Sequence, residues 1–206
     1  MDGASLAEEL ARKGIEDTAV LAAIAAVPRH LYVPDELRAE AYDDIALPIG
    51  EGQTISQPFV VAASCAALRV GAGDRVLDVG TGSGYAAAVL AAMGCDVFSI
   101  EILPAIFESA RARLARLGVP VHVKLGDGAY GWAAEAPFRG IGVAAATPSV
   151  PPALVDQLAA PGRLVLPIGD RIRQRLTLVE KLPDGSAHVG ALFEVMFVPL
   201  TSAPMA

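Results

Sequence analysis

The chain has 206 residues, 53% of them hydrophobic and 19% charged, so it has ample apolar surface to offset the entropy of ordering, and intrinsic disorder is excluded. Against about 150 residues per domain, the length points to one domain with a sizeable core. Lys and Arg number 16 against 23 Asp and Glu, a net charge of −7, which argues against nucleic acid as the main partner.

Residues 4–40 read as short helices. Leu6 and Leu10 recur at helical spacing, then Val20, Leu21, Ile24 and Val27, closed by Pro28. From 41 to 60 the text is irregular, with Pro48, Gly50, Gly52 and Pro58, and a loop of that length is often functional. Helical spacing returns over 59–70. After Gly71-Ala-Gly73-Asp74 a regular alternation begins: strand 75–79, helix 84–93, strand 96–101 and helix 104–117, with Pro104 in its first turn and Gly118 at its end. Strand 121–125, the glycine-rich stretch 126–132, strand 141–144, helix 152–158 and strand 163–168 follow. This alternation predicts an α/β fold, a Rossmann-like doubly wound sheet that is mostly parallel. Segments 174–181 and 191–198 flank a hairpin-type Asp184-Gly185, so the sheet should end in antiparallel strands.

A mean hydropathy of +0.47 raises the question of a membrane span. The best uninterrupted apolar stretch, Tyr85–Cys95, falls short of the ~20 residues a spanning helix needs. Asp2, Glu8 and Glu9 stand where a secretory signal would carry positive charge, so a soluble cytoplasmic protein is expected. Cys65 and Cys95 sit in apolar stretches without metal-ligand spacing and read as buried thiols; no metal site is implied. Arg111, Arg113 and Arg116 read as a solvated helix face. Arg171, Arg173 and Arg175 alternate at strand spacing and read as an exposed sheet edge.

The segment Val76-Leu-Asp-Val-Gly-Thr-Gly-Ser-Gly-Tyr85 carries the chemistry. A strand runs into Gly80-x-Gly82-x-Gly84 and then a helix, so the backbone can approach a ligand closely at a helix N-terminus. Glu101 closes the next strand, where nucleotide-binding folds place an acid on the ribose hydroxyls. The third glycine falls one residue early for a dinucleotide fingerprint, and Asp78 would repel a pyrophosphate. An acid there suits a ligand with an ammonium group, and S-adenosyl-L-methionine fits better than NAD.

The chain as a whole resembles the bacterial protein-L-isoaspartate O-methyltransferases, class I S-adenosylmethionine-dependent enzymes. The matching text includes Val27-Pro-Arg-His30, Ala41-Tyr-Asp-Asp44, Leu47-Pro-Ile-Gly50, the glycine loop, Gly126-Asp-Gly128 and Phe197-Val-Pro-Leu-Thr201. The most specific match is Gly52-Gln-Thr-Ile-Ser-Gln-Pro58. The resemblance implies methyl transfer to the free α-carboxylate of L-isoaspartyl residues in damaged proteins or peptides, the ester then collapsing to a succinimide that hydrolyses partly to aspartate. By matching motif it assigns Ser56 to catalysis beside the methyl group, with Thr54 and Ile55 in the same loop. Asp78, Gly80, Gly82 and Gly84 would hold the methionine and adenosine portions, Glu101 and Ile102 the ribose end, Asp127 and Gly128 the adenine edge, with Thr201 near the site. Residues 1–70 would then supply helices and the active-site loop, and 71–206 the cofactor-binding core.

A carboxylate acceptor is already ionised at neutral pH, so no general base is needed, and His30, His122 and His188 read as structural. The chain departs from the family's usual text at Arg139, at Ser64–Ala67 and at Ala144–Ser149. Three alternatives stay open at this point: a related carboxylate methyltransferase acting on an Asp of a peptide or natural product, a non-catalytic S-adenosylmethionine-binding module, and a nicotinamide dehydrogenase.

Overall fold

The computed structural model describes residues 2–201. Helices α1 (Gly3–Arg12) and α2 (Thr18–Ala26) each begin at an aspartate that caps the first turn. Asp2 accepts from the Ser5 amide, and Asp17 from Ala19 and Val20, which satisfies amides that the first turn leaves unpaired. The apolar stripe Leu6 and Leu10 is fully buried, as are Val20 and Ile24. Pro28 stops α2, and two 3-10 turns follow, Arg29–Tyr32 and Asp35–Glu40.

The segment expected to be irregular holds a small antiparallel hairpin, β1 (Leu47–Gly50) with β2 (Gln53–Ile55). Its turn takes Gly50, Glu51 and Gly52 to positive φ, a conformation that glycine adopts without steric cost. Helix α3 (Pro58–Leu68) leaves this hairpin with proline in its first turn and ends at Arg69 in the left-handed region.

The alternating part comprises β3 (Arg75–Val79), α4 (Tyr85–Ala92), β4 (Asp96–Glu101), α5 (Pro104–Arg116), β5 (Val121–Leu125), β6 (Phe138–Val143), α6 (Pro152–Asp156), β7 (Leu158–Gly169), β8 (Gln174–Lys181) and β9 (Ala187–Val195). These strands form one sheet in the order β5-β4-β3-β6-β7-β8-β9. Every pair from β5 to β7 is parallel, and β8 and β9 are antiparallel. The sheet is Rossmann-like and doubly wound, and both its faces are covered. Val76 and Val97 pack on one side with α1–α4 and Leu114 of α5, while Leu77, Val79, Phe98 and Ile141 pack on the other with Leu154 of α6. Strands buried on both faces read as continuous apolar runs, which is why β3 and β4 stand out in the sequence.

The boundaries that moved have physical reasons. Strand β6 starts at Phe138, three residues early, and β7 starts at Leu158, where Phe138 pairs with it, so α6 ends at Asp156. Strand β9 runs 187–195 rather than 191–198, because it pairs along the whole of β8 from Lys181 opposite Ala187. It is exposed over most of its length and shows no burial alternation to read. The arginine alternation is not a sheet edge: β9 pairs outside β8, and Arg171 and Arg173 lie in the turn before β8. Cys65 and Cys95 are free and buried, and burial pushes the Cys95 thiol up to about 11. Among the described residues no helix is long and apolar enough to cross a membrane.

Candidate active site

Strand order reverses at β3, which has β4 on one side and β6 on the other, so a crevice opens at the carboxyl ends of these strands. The chain leaving β3 must turn into α4 there, and Gly80, Gly82 and Gly84 all have positive φ. A Cβ on Gly80 would lie 3.4 Å from the Ala144 side chain, so the turn passes close over the end of β6. The turn is held by Glu101, buried at the end of β4. One carboxylate oxygen accepts from the Gly82 amide at 2.9 Å; the other accepts from Ile102 and Leu103 at 2.9 and 3.0 Å. Hydrogen bonds to a charged acceptor are worth roughly 1.5–3 kcal/mol each, so this carboxylate is a rigid anchor.

A cavity of about 660 Å³ lies above these strand ends. Gly80, Gly82, Glu101, Ile102 and Gly128 line it on the sheet side, and Thr54 and Ser56 line it from the hairpin and the residues after it; Thr201 is at its margin. The sequence-predicted residues therefore converge, with four exceptions. Ile55 points the other way, because side chains alternate along β2, and it is buried in the main core. Gly84 caps α4 and faces α5, where a Cβ would press on Leu114. Asp127 caps the turn Gly128–Tyr130 by accepting from the Ala129 amide at 2.9 Å. It does not line the cavity, whereas Gly128 does, and a side chain on Gly128 would overlap Val79.

Asp78 is the fourth. It lies in an adjoining pocket of about 50 Å³ that shares Ser56, Val60, Ala144 and Phe197 with the main cavity. The Thr81 hydroxyl lies 2.6 Å from that of Ser99, which donates to Asp78 at 2.7 Å, so the proton order runs from Thr81 through Ser99 to the carboxylate. Burial pushes Asp78 up to about 7; the Ser99 hydrogen bond opposes the shift and the charge of Glu101 adds to it.

The sequence reading missed much of the opposite wall, which residues 194–201 build. Gln174 holds this segment like a strand partner, donating to the Phe197 carbonyl at 3.0 Å and accepting from its amide at 2.6 Å. Ala146 continues the ladder, donating to Val198 and accepting from Leu200, both at 2.8 Å. The family-like text 197–201 was the signal for this wall, whereas nothing local marked Gln174. Arg113 is also more than a solvated side chain: it is half-buried and donates to the Ser83 carbonyl of the glycine turn at 3.0 Å. Arg111, by contrast, pairs with Glu108 in solvent, where such pairs contribute about 0–1 kcal/mol. The three histidines lie away from the cavity wall. His30 bonds Tyr42 at 2.7 Å, His122 stacks on Phe98, and His188 sits on β9.

Residues 1–204 match the sequence profile of the protein-L-isoaspartate(D-aspartate) O-methyltransferase family. A protein-L-isoaspartate O-methyltransferase of Anaeromyxobacter dehalogenans is 52% identical over 204 residues, covering 98% of both chains. Protein-L-isoaspartate O-methyltransferase 2 of Marinobacter nauticus is 50% identical over 194 residues, 93% of this chain and 89% of that one. Among solved structures, a protein-L-isoaspartate O-methyltransferase from Plasmodium falciparum in complex with S-adenosyl-L-homocysteine superposes with a TM-score of 0.85 at 28% identity, covering 98% of this chain and all of the other.

The Asp78 environment makes a pH prediction. Between about pH 4 and pH 7 the folded chain keeps a proton on Asp78 that the unfolded chain has released, so stability falls as pH rises through this window. Asp78→Asn keeps an acceptor for Ser99 and removes the charge. In urea unfolding, the variant's stability relative to wild type should rise from pH 5 to pH 8, by a few kcal/mol at most. A difference independent of pH would contradict the assignment of the proton to Asp78.

Proposed function

Since the chain belongs to the protein-L-isoaspartate(D-aspartate) O-methyltransferase family, we infer that it transfers the methyl group of S-adenosylmethionine to the free α-carboxylate of L-isoaspartyl residues in damaged proteins and peptides. One juxtaposition carries this reading: Ser56 lines the same cavity as Gly80, Gly82 and Glu101. Residues 1–70 then bring the acceptor loop, and the sheet from residue 71 onward holds the cofactor.

The residues present fit the cofactor. Gly80 and Gly128 form a cradle that side chains would crowd, leaving backbone surface for an adenosine, and Glu101 keeps lone pairs on the oxygen facing Gly82 for ribose hydroxyls. Asp78, beneath the same turn, is an acid suited to an ammonium group, and a nearby cation would return it to its ionised form. When bound, S-adenosylmethionine would supply a sulfonium-borne methyl group open to attack by a carboxylate oxygen, with the thioether of S-adenosylhomocysteine as the leaving group.

The chain's own residues then have three tasks. The first is alignment. The reacting oxygen must meet the methyl carbon in line, and well-oriented pairs gain orders of magnitude in rate over free ones. The Ser56 hydroxyl can donate to one acceptor oxygen and leave the other free to attack, without adding charge. The second is proton economy. A carboxyl group with an ordinary pKa near 4 is already ionised, so no side chain need remove a proton. That agrees with the absence of His30, His122 and His188 from the cavity wall. The third is a weakly polar setting. Carboxylate and sulfonium become ester and thioether, so charge is lost on the way to products, and exclusion of water favours that step. The acceptor side suits this: no residue from Gly52 to Leu68 is charged, and Val60, Ala144 and Ala145 line the cavity near Ser56.

A second reading, a carboxylate methyltransferase for ordinary aspartyl residues, draws on Ala144–Ser149, since Ala144 and Ala145 line the cavity where the sequence departs from the family's usual text. A pair of peptides that differ only in an isoaspartyl or aspartyl linkage separates the two. With labelled S-adenosylmethionine, base-labile methyl groups should appear on the isoaspartyl peptide and hardly at all on its twin. Equal labelling of both would overturn the isoaspartyl reading. In the same assay, Ser56→Ala should lower kcat by roughly tenfold to a hundredfold while S-adenosylhomocysteine affinity stays within about twofold. Unchanged turnover would remove Ser56 from the chemistry.

A further inference from the structure

Arg29 is among the largest side chains with no exposure at all in this chain, and the steps above make no use of it. It follows Pro28 in the first 3-10 turn and reaches inward beneath the acceptor loop. Its Nε donates to the Ala41 carbonyl at 2.8 Å. Its Nη2 donates to the Ser56 carbonyl at 2.8 Å and makes a longer contact to Ile45 at 3.5 Å. The guanidinium also lies over the ring of Tyr85, 4.7 Å from its centroid, and Tyr85 is the first residue of α4 after the glycine turn. One buried cation therefore touches the beginning of the loop, its catalytic end and the helix that starts at the cofactor turn.

We infer that Arg29 is a positioning residue for methyl transfer: it fixes the Ser56 carbonyl relative to the glycine turn, and so the direction in which the Ser56 hydroxyl meets the acceptor. The inference rests on the role of Ser56 given above. Space-filling alone does not account for the residue, because an apolar side chain of similar volume fills a core without the cost of desolvating a charge. Lysine is no substitute for the fork, since a point charge on a flexible stem cannot hold separate carbonyls in fixed directions. Burial lowers the Arg29 pKa to about 10, so the group stays charged at neutral pH. The nearby ionisable groups are Tyr85 and Asp44. Asp44 stitches the same loop from its other side, accepting from the Phe59 amide at 2.7 Å, the Gln57 side chain at 3.1 Å and Lys13 at 2.7 Å. Ser56 is thus bracketed between carbonyls held by a cation and an amide held by an anion.

The test compares Arg29→Lys with Arg29→Met, and kcat is expressed per site competent to bind S-adenosylhomocysteine, counted by calorimetry. That normalisation removes any loss of folded protein, which is all a purely structural role would produce. The expectation is a fall in kcat per competent site of about tenfold or more in the methionine variant, a smaller fall in the lysine variant, and S-adenosylhomocysteine affinity within about twofold in both. A kcat per competent site within about twofold of wild type in either folded variant would overturn the inference, as would an equal loss of kcat and affinity. Should the lysine variant not fold, the methionine variant, which fills the space without charge, decides alone. Failure of the Ser56 reading is distinguishable, since it would show in Ser56→Ala with Arg29 intact.

Discussion

A carboxylate that accepts three backbone N–H groups organises this site. Glu101 closes β4 and takes the Gly82 amide on one oxygen and the Ile102 and Leu103 amides on the other, so the glycine turn after β3 and the chain after β4 are fixed to each other. Neither segment has regular secondary structure to hold it, and both form the floor of the cavity. Arg113 supports the same turn from α5 through the Ser83 carbonyl. Above this floor lies the segment bearing Ser56, which leaves the β1–β2 hairpin and is held by buried side chains as well as by that hairpin. Arg29 grips carbonyls on its inner side and Asp44 grips the Phe59 amide beyond it.

Two acids at the carboxyl ends of β3 and β4 are held by hydrogen bonds, while Glu51, Arg173 and Glu194 also line the cavity. Glu101 is saturated by amides on one oxygen, and Asp78 is buried under the Thr81–Ser99 relay and shifted up to about 7. The segment bearing Ser56 carries no charge at all from Gly52 to Leu68. On the proposed function an acceptor carboxylate entering beside Ser56 would meet hydroxyl and apolar surface, which suits a reaction in which opposite charges are consumed. The far wall, residues 194–201, is laid down by ladder bonds to Ala146 and by the side-chain amide of Gln174.

The β3–α4–β4–α5 run was legible in the sequence because glycine and proline mark its turns and both sheet faces are apolar. Gly80, Gly82, Glu101 and Gly128 followed from that run and its family resemblance, and all four line the cavity. The hairpin β1–β2 was not legible: its strands are three and four residues long, too short for alternation to show, and its turn includes Glu51 at positive φ. Ile55 and Gly84 were assigned to the site by matching motif. Strand alternation sends Ile55 to the core, and the start of α4 turns Gly84 toward Leu114. Arg29 appeared only as part of a matching motif, since a sequence does not reveal that one guanidinium spans carbonyls 12 and 27 residues away. Edge strand β9 misled for the opposite reason, having no buried face whose pattern could fix its ends.

The loop after β2 faces the glycine turn across one cavity, and the proposed function puts Ser56 on the reacting side. A crystal structure of the chain with S-adenosylhomocysteine and an isoaspartyl peptide measures this directly. The thioether sulfur should sit over the carboxyl ends of β3 and β4, with the peptide's α-carboxylate between it and the Ser56 hydroxyl and within hydrogen-bond distance of that hydroxyl. A sulfur directed away from Ser56, or a peptide carboxylate bound elsewhere on the wall, would contradict it.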